Sequence, residues 1–176
     1  MGKVVLDLET QKAFDEVEGR QLHLLKVSVV GVYDYATDSF KVFEESELGS
    51  LLRLLEKADR IIGFNIKGFD YKVLEPYFGA GVYQLPTLDI LEVAAQRLGH
   101  RVSLNSIASA TLGASKTGTG LDAIYYFKQG KMEELKSYCL NDVQLTRDVY
   151  EHGRKQGRLR YMKRGGEPAE FEVAWD

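Results

Sequence analysis

Tyr138 and Asp142 stand four residues apart in the stretch SYCLNDVQLTRD (residues 137–148), a spacing that puts both side chains on one face of a helix. Met132, Leu135, Cys139, Leu145, Thr146 and Val149 recur at three- and four-residue steps along the same helix, and Asp142 falls on or beside that apolar stripe. A buried carboxylate with no partner is destabilising by several kcal/mol or else takes up a proton. Its economical partners are a metal ion, a cationic side chain, or a cluster of helix-cap and backbone donors. A metal ion is favoured, because three more carboxylates are arranged to meet this one.

Two of them sit near the start of the chain. Residues 3–9 read as a central strand, with Val4, Leu6 and Leu8 on one face and Val5, Asp7 and Glu9 on the other, so Asp7 and Glu9 are neighbours in space. Alone, the pair also fits two solvated acids at a strand end. Asp70 follows a short apolar strand (60–64) with Asn65 at its end, in the first turns of a helix expected to begin near Lys67; there the helix dipole alone favours a negative charge. Asp89, at a second passage from strand to helix (86–99), reads as an N-cap first and a metal neighbour second.

The remaining elements must position these side chains. Residues 11–21 are polar and loop-like. Alternation predicts strands over 24–35 and 38–44 joined by a turn at 36–38, and leucines at 48, 51, 52, 54 and 55 predict a helix over 46–58 capped by Ser46. A short helix over 103–113 leads into ASKTGTG. That run departs from G-x-x-x-x-G-K-[ST] at both glycine positions, Ala110 and Ser115, so it is read as a flexible loop beside the substrate and not as a nucleotide cradle. A long helix from about 131 to 152 closes the core, with late strands at 158–162 and 170–174. Strands alternating with helices imply an α/β fold, a mixed sheet flanked by helices.

The 176 residues suit a single domain, 1–176, with a basic C-terminal extension from about 153. No apolar run is long enough to span a bilayer and no secretory leader is evident at the start, so a cytoplasmic protein with no membrane partner is expected. Cys139 is the only cysteine, which excludes an internal disulfide and a thiolate-rich zinc site and leaves it a core-packing role. Net charge is −3, with six lysines and arginines and no acids from His152 to Arg164, so the rest of the chain carries about −9. A second acid-free stretch, 93–121, holds Arg97, Arg101 and Lys116. Both stretches fit either a solvated surface or a phosphate-contacting one.

Taken in order, D-x-E-T at 7–10, N-x-x-x-F-D at 65–70 and Y-x-x-x-D at 138–142 resemble the three motifs of the DEDD superfamily of 3′ to 5′ exonucleases, on the ribonuclease H-like fold. The third motif has the form found in the tyrosine subgroup, DEDDy, which includes the proofreading domains of DNA polymerases and the ribonuclease D group. The sister subgroup has a histidine five residues before the last aspartate, where this chain has Ser137. The resemblance covers roughly residues 3–152, and the run 104–138 is also similar to stand-alone or helicase-associated members related to the family B polymerase exonuclease.

The resemblance implies two divalent ions, magnesium or manganese, roughly 4 Å apart. It implies that Asp7 bridges both, that Glu9 and Asp142 complete the first, and that Asp70 serves the second through water. Tyr138 would orient the nucleophilic water. Leu8, Thr10, Asn65, Phe69 and Lys116 would lie against the terminal nucleotide. Phe64, Phe69 or Tyr71 would be available for stacking, with core packing the default for each. Four converging carboxylates repel one another unless cations occupy the site, and hard divalent ions with oxygen ligands meet that need. The expected partner is a nucleic acid with a free 3′ end, single-stranded DNA favoured and RNA open; a helicase or polymerase partner is left open. The competing readings are a catalytically silent binding module and a structure-specific endonuclease on the same fold.

Overall fold

Residues Lys3–Thr10 form β1, the middle strand of a five-stranded sheet, in a computed structural model that describes residues 2–175, Arg20 by its backbone only. Val27–Asp34 (β2) pairs antiparallel with β1, and Ser39–Glu44 (β3) pairs antiparallel with β2. On the other side Arg60–Gly63 (β4) runs parallel to β1, and Thr87–Asp89 (β5) runs parallel to β4. The order β3-β2-β1-β4-β5 is the mixed sheet that the alternation of elements predicts. Every residue of β2 is buried, because helices cover both faces of the sheet there and leave no solvated side.

The two faces of β1 separate as its alternation requires. Val4, Leu6 and Leu8 pack with Leu48, Leu51 and Leu55 of helix Leu48–Leu55 (α1) and with Tyr71, Val73 and Leu74 of helix Asp70–Phe78 (α2). Val5 joins a second core with Ile90 and Ala94 of Ile90–Leu98 (α3), Leu104, Ile107 and Ala108 of Leu104–Leu112 (α4), and Val143, Leu145, Val149 and Tyr150 of the long helix Met132–Gln156 (α6). A strand at the centre of such a sandwich has both its side-chain sets fixed, and a one-residue slip would exchange carboxylates for leucines.

Several expectations need correction. The helix after Asn65 begins at Asp70 and not near Lys67. Ser46 caps nothing: Glu45–Glu47 forms a 3-10 turn in which the Glu47 carboxylate accepts the Glu44 N–H at 2.9 Å, and α1 follows at Leu48. The segment 11–21 is not plain loop, since it holds the 3-10 turns Phe14–Glu16 and Glu18–Arg20, and a third turn, Leu22–Leu24, occupies the start of the strand expected over 24–35, which begins at Val27. The sequence reading also passed over Gly120–Lys128, helix α5. Thr119 and Asp122 box its start: the Asp122 carboxylate accepts the Thr119 N–H at 2.7 Å. The late strands, Arg158–Met162 (β6) and Pro168–Glu172 (β7), form a separate antiparallel hairpin, and its Leu159, Tyr161 and Phe171 belong to the second core. No helix among the described residues is long and apolar enough to cross a membrane.

Candidate active site

Asp7 lies opposite Gly31 of β2, under α6. A Cβ at Gly31 would come within 2.9 Å of Cys139 Sγ and of Val143 Cγ2, so the missing side chain is what lets α6 lie directly on the strands. Cys139 packs there as expected, fully buried, its thiol donating to the Asp7 carbonyl at 3.5 Å. That contact sets Asp142, three residues further along α6, and Tyr138, beside it, over Asp7 and Glu9. Both are buried, Asp142 at 2% exposure.

Asp70 arrives from the other direction. As the first residue of α2 it is 3% exposed, and its Oδ1 accepts the Leu8 N–H at 3.2 Å, the peptide between Asp7 and Glu9. The loop before it is held by Asp89, whose carboxylate accepts N–H bonds from Asn65 at 2.8 Å, Lys67 at 3.2 Å and Leu91 at 3.0 Å. The N-cap reading of Asp89 holds, and the same group also fastens the Asn65 loop to α3. Asn65 sits at φ 62, a left-handed conformation that asparagine tolerates better than most residues, and its side-chain oxygen accepts from Arg101 Nη2 at 2.9 Å.

All ten residues singled out from the sequence, Asp7, Leu8, Glu9, Thr10, Asn65, Phe69, Asp70, Lys116, Tyr138 and Asp142, line one cavity of about 560 Å³. Phe64 lines it too. Tyr71 does not: it is fully buried, and its hydroxyl lies 2.5 Å from Thr87 Oγ1, so it is core and offers no stacking surface. Thr10 Oγ1 donates to the Lys12 carbonyl at 2.9 Å, which shapes the turn after β1. The sequence reading missed Phe14 and Leu121, 47% and 69% exposed, at the mouth of the same cavity. Their signal was weak, an apolar residue in a polar segment and one at the head of an unrecognised helix.

The electrostatics show an imbalance. Burial, then the charge of Asp142, pushes Asp7 up to about 7, against the pull of Lys116. Burial, then Asp7, raises Glu9 and Asp70 well above the usual carboxylate range, and burial raises Asp142 although Lys116 Nζ lies 2.5 Å from its Oδ2. Burial pulls Lys116 down, but the charges of Asp7 and Asp142 outweigh it and leave the ammonium favoured. One ammonium cannot neutralise four carboxylates. Asp142 Oδ1 is buried with no hydrogen-bond partner among the described residues. An orphaned carboxylate oxygen and three further acids of raised pKa form a donor set that suits hard divalent cations.

Among the described residues, potential ligand atoms of Asp7, Glu9 and Cys139 lie within 4.8 Å of one another. Burial drives the Cys139 thiol up, and a soft neutral sulfur is a poor ligand for an ion that prefers oxygen. Asp70 and Asp142 fall outside that group, their carboxylates drawn to the Leu8 N–H and to Lys116.

Known proteins share this fold. Among solved structures, the family B DNA polymerase from the hyperthermophilic archaeon Pyrobaculum calidifontis is similar with a TM-score of 0.66 and 16% identity. The likeness covers 87% of this chain and 24% of the polymerase, so the chain spans about a quarter of that protein's length and shares a fold with that part. No curated protein sequence matches the chain. The family model of the RNase H superfamily matches residues 5–153, from β1 through α6 and therefore across every carboxylate of the cavity; the chain belongs to the RNase H superfamily.

Proposed function

We propose that the chain is a metal-dependent 3′ to 5′ exonuclease of the DEDDy type, hydrolysing single-stranded nucleic acid from its 3′ end and releasing nucleoside 5′-monophosphates. The observation that carries this reading is the convergence of Asp7, Glu9, Asp70 and Asp142, from three separate elements, on one cavity, where Lys116 ion-pairs with one of them, Asp142. Superfamily membership supports a nuclease in general; the tyrosine one helical turn before Asp142 supports the finer assignment.

Asp7, Glu9, Asp70 and Asp142 would hold magnesium or manganese ions, which supply a nucleophilic water at neutral pH and stabilise charge on the leaving 3′ oxygen. The Tyr138 hydroxyl has no protein hydrogen-bond partner among the described residues and faces the cavity beside Asp142. Burial, then the charges of Asp142 and Glu9, raise its pKa, so it stays a phenol and acts by orienting the attacking water and not by removing its proton. Asn65, fixed by Arg101 and Asp89, presents its amide to the terminal sugar and phosphate. Leu8, Phe64 and Phe69 form the apolar wall for the terminal base, and Lys116 supplies positive charge where the scissile phosphate enters.

A silent binding module is disfavoured, because it would keep four clustered carboxylates, three of them buried, whose ionisation weakens the fold with nothing gained. The test is degradation of end-labelled single-stranded DNA and RNA side by side, with magnesium and with a chelator. Loss of nucleotides from at least one strand, stopped by chelation, is expected. Activity that survives chelation, or intact strands of both kinds, would overturn the reading.

A further inference from the structure

Beyond α6 the chain adds a hairpin that the superfamily match, ending at residue 153, does not reach. Its charges are not equivalent. Arg158 and Arg160 are matched across the hairpin by Glu170, at 3.2 and 3.3 Å, and Arg154 pairs with Glu151 at 2.9 Å. Lys163 and Arg164, at the hairpin's turn, make no ion pair among the described residues, and neither does Glu167, the acid nearest them in sequence. They face the loop between α3 and α4 across a cleft of about 830 Å³, whose other wall carries His100 and Arg101; no acid lines it.

The cleft is held in shape. Ser106 of α4 donates to the Met162 carbonyl at 3.1 Å and accepts its N–H at 3.0 Å, while Thr111 does the same for Arg160, both at 2.9 Å. The β6 edge is therefore clamped to α4 by two hydroxyls. The cleft also connects to the candidate active site. Arg101 lines both it and a smaller depression of about 440 Å³, Asn65 lines both that depression and the catalytic cavity, and the two residues are hydrogen-bonded.

We propose that this cleft, walled by Arg101, Lys163 and Arg164, binds the phosphodiester backbone of the same single strand whose 3′ end occupies the catalytic cavity. This rests on the exonuclease reading and adds to it a second, sequence-independent contact for the body of the strand. A chain of net charge −3 attracts a polyanion only through local surfaces of this kind. The unpaired cations line the cleft; Arg158 and Arg160 share the one Glu170 carboxylate, which offsets half of their charge, and neither lines the cleft, so they contribute little.

The experiment measures binding of fluorescent oligonucleotides of about 4 and about 16 nucleotides to the full chain in chelator, across a range of salt. The proteins are the parent, the double variant Lys163→Ala/Arg164→Ala, and Arg158→Ala/Arg160→Ala, which removes the same charge from the matched positions. For the longer strand the first variant should lower the slope of log affinity against log salt by about 1.4, two phosphate contacts at about 0.7 each, with the second variant near the parent. The short strand should bind all three proteins alike. Equal slopes for both variants, no change for either, or displacement by an acidic peptide of equal charge as effective as by the oligonucleotide would overturn the proposal. A parallel digestion with magnesium separates the two readings: a parent that binds with the expected slopes but shortens no strand refutes the exonuclease and leaves the cleft.

Discussion

Asp142 is where burial and charge conflict most sharply, with one oxygen held by Lys116 and the other orphaned. Replacing it with asparagine removes a ligand and a charge together, and no activity should remain. Tyr138→Phe removes one hydrogen bond to a charged nucleophile, worth about 1.5 to 3 kcal/mol, so the single-turnover rate at saturating metal should fall roughly 10-fold to 150-fold. A loss as complete as that of Asp142→Asn would make the tyrosine a proton acceptor; a rate equal to the parent's would remove it from the site. Asp7 gives a pH signature. Its folded-state value is raised to about 7, so in chelator its contribution is unpenalised below the ordinary carboxylate range and turns unfavourable as pH climbs towards 7. Asp7→Asn should therefore stabilise the metal-free protein by about 1–3 kcal/mol at pH 8 and by nearly nothing at pH 4, measured by denaturant unfolding. A destabilised variant at pH 8 would contradict the crowded-carboxylate picture. At this scale much was legible, since strand alternation places Asp7 with Glu9 and helical spacing places Tyr138 with Asp142. The Lys116 contact was not, because it joins residues 26 apart through a loop whose path no local rule specifies.

Helix α6 carries half of the site on one rigid body, and its height above the sheet decides whether the two halves meet. Gly31 sets that height. Gly31→Ala should push α6 outward against the 2.9 Å contacts with Cys139 and Val143, with a destabilisation of about 1–3 kcal/mol and a drop in activity larger than the loss of folded protein explains. Gly49→Ala, on α1 with nothing within 4 Å of the new methyl, is the control and should be neutral or stabilising by about 0.4–1 kcal/mol. Equal behaviour of the two variants in thermal melts and turnover would show that α6 has room to spare. Nothing in the sequence around Gly31 announces this role, for a glycine amid valines reads only as a weak strand position. Helix α5 was legible in principle: Thr119 and Asp122 have the spacing of a capping box, obscured by the glycines that make the preceding run look like unbroken loop. Ser46 failed as a cap for a related reason, since the Glu47 side chain reached back to the Glu44 N–H and closed a 3-10 turn first.

At the level of the molecule, the sheet brings residues 7, 70 and 142 together because β1 is central, β4 runs parallel beside it towards α2, and α6 crosses both. That topology follows from the order of strands and helices, and the motifs point to it. The C-terminal hairpin shows the opposite: its strands could be read from the sequence, but the pairing of Arg158 and Arg160 with Glu170 divides a uniformly basic run into ion-paired and unpaired cations only once folded. The central claim is that the carboxylate cavity removes nucleotides one at a time from a 3′ end, and the most direct measurement is a time course on a 5′-labelled linear single strand beside a circular one, with magnesium, for the parent and for Asp7→Asn. The account predicts a ladder shortening from the 3′ end of the linear strand, slowed by a 3′ phosphate, an intact circle, and no products from Asp7→Asn. Cuts in the circle, or a ladder that persists in Asp7→Asn, would contradict it.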